Sequence, residues 1–122
     1  MADHQKNNQF IKVNKLRPLG TGLNLTVKVV NAKTVVQRGQ RIAECLVGDE
    51  TAMIVFVATN DQVNLAVNGN TLALSNARVD MFRGSMRLRV DGSGRVDVVK
   101  SVNFTVKENN NLSLIEFDCG GN

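Results

Sequence analysis

The sequence has no tryptophan, no tyrosine, one histidine, one proline and two cysteines in 122 residues. Each scarcity excludes something. General acid-base and metal-assisted chemistry lean on His, Cys and carboxylates gathered at particular spacings. The lone His4 stands in a polar opening stretch, residues 1–9, that reads as a flexible, solvated tail. Cys45, beside Ala43, Leu46 and Val47, reads as a buried structural thiol, and Cys119 near the end makes no CxxC pair with it. Two such cysteines build no disulfide framework, which points to a reduced, intracellular setting in nucleus or cytoplasm. The opening Met1-Ala2-Asp3-His4-Gln5-Lys6 has no apolar leader core. The longest apolar run, 52–58, is far short of the roughly 20 residues that a membrane helix needs. No phosphate-binding loop or dinucleotide fingerprint occurs, and Asp91-Gly92-Ser93-Gly94 lacks the later ligands of a calcium loop. The expectation is a protein with no catalytic residue, metal site, cofactor or membrane span.

What the chain does have is valine, 18 residues of it, and asparagine, 15. A β-branched core in a chain of one-domain size predicts an all-β fold. Leu23-Asn24-Leu25-Thr26-Val27-Lys28-Val29 alternates apolar with polar, the period of a half-buried strand with Leu23, Leu25, Val27 and Val29 inside. Residues 31–40 read as a long basic connection carrying Lys33 and Arg38, leading to a strand at 41–47 with Ala43, Cys45 and Val47 inward. The segment Val47-Gly48-Asp49-Glu50-Thr51 reads as a turn. Met53-Ile54-Val55-Phe56-Val57-Ala58 is apolar on both faces, so its outer face needs cover. Asn60-Asp61-Gln62-Val63-Asn64-Leu65-Ala66-Val67 opens on capping residues, suits one or two helical turns and ends at Asn68-Gly69. Strands resume at 71–81, 86–90 and 95–99, and 104–106 with 112–117 suggest a closing hairpin. This order predicts a five-stranded Greek-key barrel of the OB type over 10–100, one short helix between its third and fourth strands, and a C-terminal β extension over 101–122. A plain β-sandwich is the alternative.

Fifteen basic against 11 acidic residues give a net charge of +4. Residues 78–95 hold Arg78, Arg83, Arg87, Arg89 and Arg95 against Asp80 and Asp91, and so carry +3 of it. With Val79, Met81, Met86, Leu88 and Val90 inward, Arg78, Asp80, Phe82, Arg87 and Arg89 share the outer face of one hairpin. Phe82-Arg83-Gly84-Ser85 closes it, with Gly84 available for positive φ. Arginines beside an exposed ring suit single-stranded nucleic acid, because guanidinium groups meet phosphates and stack on bases while the ring offers a sequence-tolerant platform.

At Phe10-Ile11-Lys12, Arg41-Ile42-Ala43-Glu44-Cys45, Asp49-Glu50-Thr51, Asn68-Gly69 and Met81-Phe82-Arg83-Gly84-Ser85-Met86-Arg87-Leu88 the chain resembles the small single-domain OB-fold single-stranded DNA-binding proteins. These are the SOSS-B and archaeal type, related to replication protein A domains. The likeness covers roughly 10–100 and is strongest to short plant OB-fold proteins. The resemblance implies stacking rings on the barrel face; three of the family's ring positions here hold Thr59, Arg78 and Arg89, and Phe82 keeps the fourth. Three lost rings cost several kcal/mol at about 1–3 kcal/mol each, partly offset by arginine stacking, which implies weaker and salt-sensitive binding.

The functional expectation is a non-enzymatic binder of single-stranded DNA or RNA. Phe82 is its stacking platform, Arg78, Arg87 and Arg89 make phosphate or base contacts, Arg83, Lys33 and Arg38 extend the basic track, and Thr59 stands at a lost ring position. About four phosphate contacts predict a log-log salt slope near −3. The rival expectation is a protein-interaction module, homo-oligomeric or with another protein, that uses the C-terminal extension.

Overall fold

From Leu23 onward the alternating pattern does what its period dictates and forms strands with one buried face. The computed structural model describes residues 10–37, 39–101 and 103–117. The expected tail 1–9, with His4, and Arg38 and Cys119 lie outside the described residues. The elements are β1 Leu23–Gln37, β2 Gln40–Gly48, β3 Met53–Thr59, α1 Gln62–Leu65, β4 Thr71–Phe82, β5 Ser85–Arg89 and β6 Arg95–Val99. Their order in the sheet is β1-β2-β3-β5-β4-β6, and β4 also pairs with β1, so the sheet closes into a barrel. All pairings between strands are antiparallel except β3 with β5. This is the all-β OB-type barrel with one short helix after the third strand.

The described residues contain six strands rather than five because the fifth is interrupted. β5 pairs with 78–82 and β6 with 71–75, both along β4, on either side of a loop at 90–94. Gly94 permits the break. A Cβ there would lie 2.4 Å from Ser75 O and 2.9 Å from Asn76 O, so only glycine lets the loop press onto β4.

Two other expectations need correction. Residues 31–37 are not a loose connection, because β1 continues through them and pairs with β2 as far as Gln37 opposite Gln40. A register shift between Val29 and Asn31 bends β1, so its first half faces β4 and its second half β2. The C-terminal hairpin does not form. Its backbone groups find partners on the barrel instead: Met53 N donates to Asn110 O (2.8 Å) and Lys107 N to Asp49 O (2.9 Å). A single parallel bridge, Met53 with Asn111, and a 3-10 turn at Leu112–Leu114 take the hairpin's place.

The core holds Leu25, Val27, Val29, Ala43, Cys45, Val47, Ile54, Phe56, Leu72, Leu74, Val79 and Leu88, all buried. Asp49 is buried as well and does more than shape a turn. Its Oδ1 accepts from Thr51 N (2.9 Å), Thr51 Oγ1 (2.6 Å) and Ala52 N (3.3 Å), and its Oδ2 accepts from Val13 N (2.9 Å). One carboxylate thereby fixes the β2–β3 turn and pins the entering chain across it. The caps expected at Asn60 and Asp61 are not made through their side chains; Gln62 Oε1 accepts from Thr59 N (3.0 Å), and Gln62 Nε2 donates to Val90 O (2.7 Å).

Candidate nucleic-acid interface

The outward residues of β4 and β5 meet in register: Arg78 lies opposite Arg89, Asp80 opposite Arg87 and Phe82 opposite Ser85. The turn between them has φ of 53° at Arg83 and 82° at Gly84, the paired positive values of a two-residue turn that follows strand twist. The tip therefore carries Phe82, 48% exposed, with Arg83 beside it. Across from this hairpin stands the β1–β2 hairpin, and an open groove of about 590 Å³ runs between them. Its lining is apolar at Val35, Ile42, Val57, Met81 and Phe82 and charged at Glu44, Asp80, Arg87 and Arg89. Met81, expected inside, is only half-buried and reaches this groove.

The arginines are held by acids. Arg87 Nη1 lies 3.0 Å from Glu44 Oε2, and Arg89 Nε lies 3.7 Å from Asp80 Oδ2. Arg78 reaches Asp80 with Nε (3.1 Å) and Asp91 with Nη1 (3.1 Å). Hydrogen bonds from the Ser93 hydroxyl and backbone, with Arg78 and Arg89 nearby, hold the Asp91 carboxyl below its ordinary value. Two guanidinium groups also attend the ring: the Arg87 guanidinium carbon is 4.3 Å from the Phe82 centroid and that of Arg83 is 5.3 Å.

Five of the expected site residues thus gather on one hairpin face: Phe82, Arg87 and Arg89 line the groove, Arg78 stands beside it in ion pairs, and Arg83 tops the turn. Lys33 is exposed on the opposite hairpin, in register with Glu44, and makes no ion pair among the described residues. Thr59 is not brought into the groove lining; its backbone N–H and hydroxyl turn to Gln62. Arg38 lies outside the described residues. The sequence reading missed Glu44, Ile42 and Val57. Alternation around Ala43 and Cys45 already sets Ile42 and Glu44 outward; what it lacks is the register, which places Glu44 opposite Val57 and Ile42 opposite Thr59.

Residues 16–98 match the family described as single-stranded DNA binding protein Ssb-like, OB fold. The chain belongs to this family. It is 48% identical over 124 residues to an uncharacterised Arabidopsis thaliana protein, At4g28440, covering 89% of this chain and 81% of that one. The solution structure of the hypothetical protein F20O9.120, also from Arabidopsis thaliana, superposes with a TM-score of 0.83 at 47% identity, covering 93% of this chain and 88% of that one. A murine DNA binding protein in a structure with double-stranded DNA superposes with a TM-score of 0.53 at 27% identity, over 68% of this chain and 43% of that one. The matched span of the Ssb-like family includes every groove-lining residue and ends before the C-terminal turn.

Proposed function

We propose that the protein is a non-enzymatic binder of single-stranded nucleic acid, DNA or RNA, that takes the strand along the groove between the β1–β2 and β4–β5 hairpins. The observation that carries this is the pairing of an exposed phenylalanine with guanidinium groups in a groove with an apolar lining: Phe82 with Arg87 over its ring and Arg89 in the same lining. Bases stack on the ring and guanidinium planes, phosphates meet the arginines and Lys33, and the apolar lining of Val57, Ile42 and Val35 takes the apolar faces of sugars and bases. Membership in the family described as single-stranded DNA binding protein Ssb-like supports the reading, and likeness to a murine protein bound with double-stranded DNA supports its coarser part, nucleic-acid binding.

The acids temper it. Because Glu44, Asp80 and Asp91 already occupy the arginines, a phosphate must exchange with a carboxylate, and the binding is weaker than charge alone implies. A labelled oligonucleotide, DNA or RNA, is titrated against the wild type and Arg87→Ala/Arg89→Ala at two salt concentrations. Loss of affinity in the double variant is expected; unchanged affinity overturns the site.

The same ion pairs favour a second reading, a protein-interaction module whose groove is internally neutralised. Absence of oligonucleotide binding at low salt, with a stable oligomer in light scattering, selects it.

A further inference from the structure

A second exposed phenylalanine, Phe117, is held beside the β4–β5 turn by a part of the chain outside the family's matched span. The 3-10 turn at Leu112–Leu114 is fastened to the barrel by Ser113. Its hydroxyl accepts from Val55 N (2.9 Å) on β3 and donates to Met86 O (2.6 Å) on β5. Asn111 Oδ1 accepts from Ser113 N (3.0 Å), and Leu112 is buried. From this anchor the chain runs to the β4–β5 turn, where Phe117 N donates to Gly84 O at 2.7 Å. A Cβ at residue 84 would sit 3.1 Å from Phe117 O, so glycine there serves the approach as well as the turn.

We propose that the strand continues from Phe82 over the β4–β5 turn and stacks a further base on Phe117. This rests on the groove reading above and extends it. Phe117 is bonded to a residue only two positions from Phe82, and two residues of chain span at most about 7 Å, so bases close together on one strand reach both rings. Both residues are exposed, Phe82 at 48% and Phe117 at 37%. Arg83 stands between them at the tip of the turn, makes no ion pair among the described residues, and offers a phosphate contact there. Leu114, 78% exposed, and Ile115 extend the uncovered apolar surface beside Phe117. Because Ser113 and the Gly84 carbonyl already hold the segment, little ordering cost attends the contact.

The absence of native tryptophan and tyrosine makes a single introduced tryptophan the only strong emitter in the chain. Three variants are titrated with an oligothymidylate of about 15 nucleotides, near the upper site size of one OB fold. They are Phe82→Trp, Phe117→Trp and Phe104→Trp, the last beside Lys28 at the opposite end of β4. Fluorescence quenching at 82 and 117, with none at 104, is expected. Phe117→Ala is expected to weaken binding about 5- to 150-fold, the effect of losing one stacked base. Quenching at 82 without quenching at 117 overturns the extension and leaves the groove standing. Binding seen by anisotropy with neither tryptophan quenched overturns both the extension and the groove, and absence of binding overturns the nucleic-acid reading altogether. An emission change at 117 that follows protein concentration rather than oligonucleotide makes this surface a protein contact and overturns the extension. If Phe117→Ala fails to fold, the tryptophan signals decide.

Discussion

The guanidinium of Arg87 lies 4.3 Å from the ring centroid of Phe82 while its Nη1 is tied to Glu44. The ring is therefore already stacked on one planar cation, and an arriving base either extends that stack or displaces the arginine towards phosphate. Arg87→Lys separates plane from charge. The variant keeps the cation, so the salt slope is expected to stay, while affinity falls by about 0.5–1 kcal/mol as the stacked plane is lost. Phe82→Ala is expected to cost about 1–3 kcal/mol. Anisotropy titrations across a salt series check both.

Glu44 and Asp80 compete with phosphate for Arg87, Arg89 and Arg78. Neutralising them as Glu44→Gln or Asp80→Asn is expected to tighten oligonucleotide binding several-fold and to steepen its salt dependence towards the slope of about −3 expected for four free cations. Stability should hardly change, since part-exposed ion pairs are worth about 0.2–1 kcal/mol. Paired salt titrations and urea midpoints measure the two effects separately.

Asp49 is the costliest single carboxylate to remove. Its loss in Asp49→Ala strips partners from Val13 N, Thr51 N and Ala52 N at once, two of these residues being fully buried. A loss of about 2–4 kcal/mol is expected in urea unfolding, because buried donors left without acceptors each cost about 1–3 kcal/mol. Oligonucleotide binding by the remaining folded fraction should be unchanged, since Asp49 is remote from the groove lining.

Burial pushes the Cys45 thiol up from 9.0 to about 11, with the neighbouring Glu44 adding to the shift. A thiol with a raised native pKa keeps its proton in the fold but loses it in the unfolded chain. Its contribution is thus intact below pH 9 and drains away as pH rises from 9 towards 11. In a Cys119→Ser background the native protein should resist thiol reagents at neutral pH. Comparing urea midpoints of that background with and without Cys45→Ala, the alkaline loss attributable to Cys45 should be on the order of 2 kcal/mol by pH of about 10.5. The absence of tyrosine removes a competing titration.

Period-two alternation disclosed β1, β2, β4 and β5 and the shared outer face of Arg87, Arg89 and Phe82, because facing is a local property of a strand. What one sequence withholds is register across strands. Nothing local sets Glu44 beside Arg87, so this acid partner was invisible while Asp80 and Asp91 were not, and the charge of the face looked freer than it is. Turn chemistry misled at both ends for a related reason. The polar, basic composition of 31–40 resembled a loop, yet pairing with β2 makes strand of 31–37; residues 112–117 resembled a strand, yet they begin as a 3-10 turn and are held to the barrel by the Ser113 hydroxyl and the Phe117 N–H. The helix was legible from its length and its polar opening, although Asp61 makes no side-chain cap and Gln62 instead braces the Thr59 N–H ahead of it.

A closed sheet is only as continuous as its shortest join, and here the join is the parallel pairing of Val55 with Arg87 and Phe56 with Leu88. The Ser113 hydroxyl clasps both strands at that point. The last stretch of the described chain therefore braces the seam between the strand that carries Val57 and the strand that carries Arg87, both of which line the groove. A serine beyond the family's matched span thus steadies the two strands on which the groove depends.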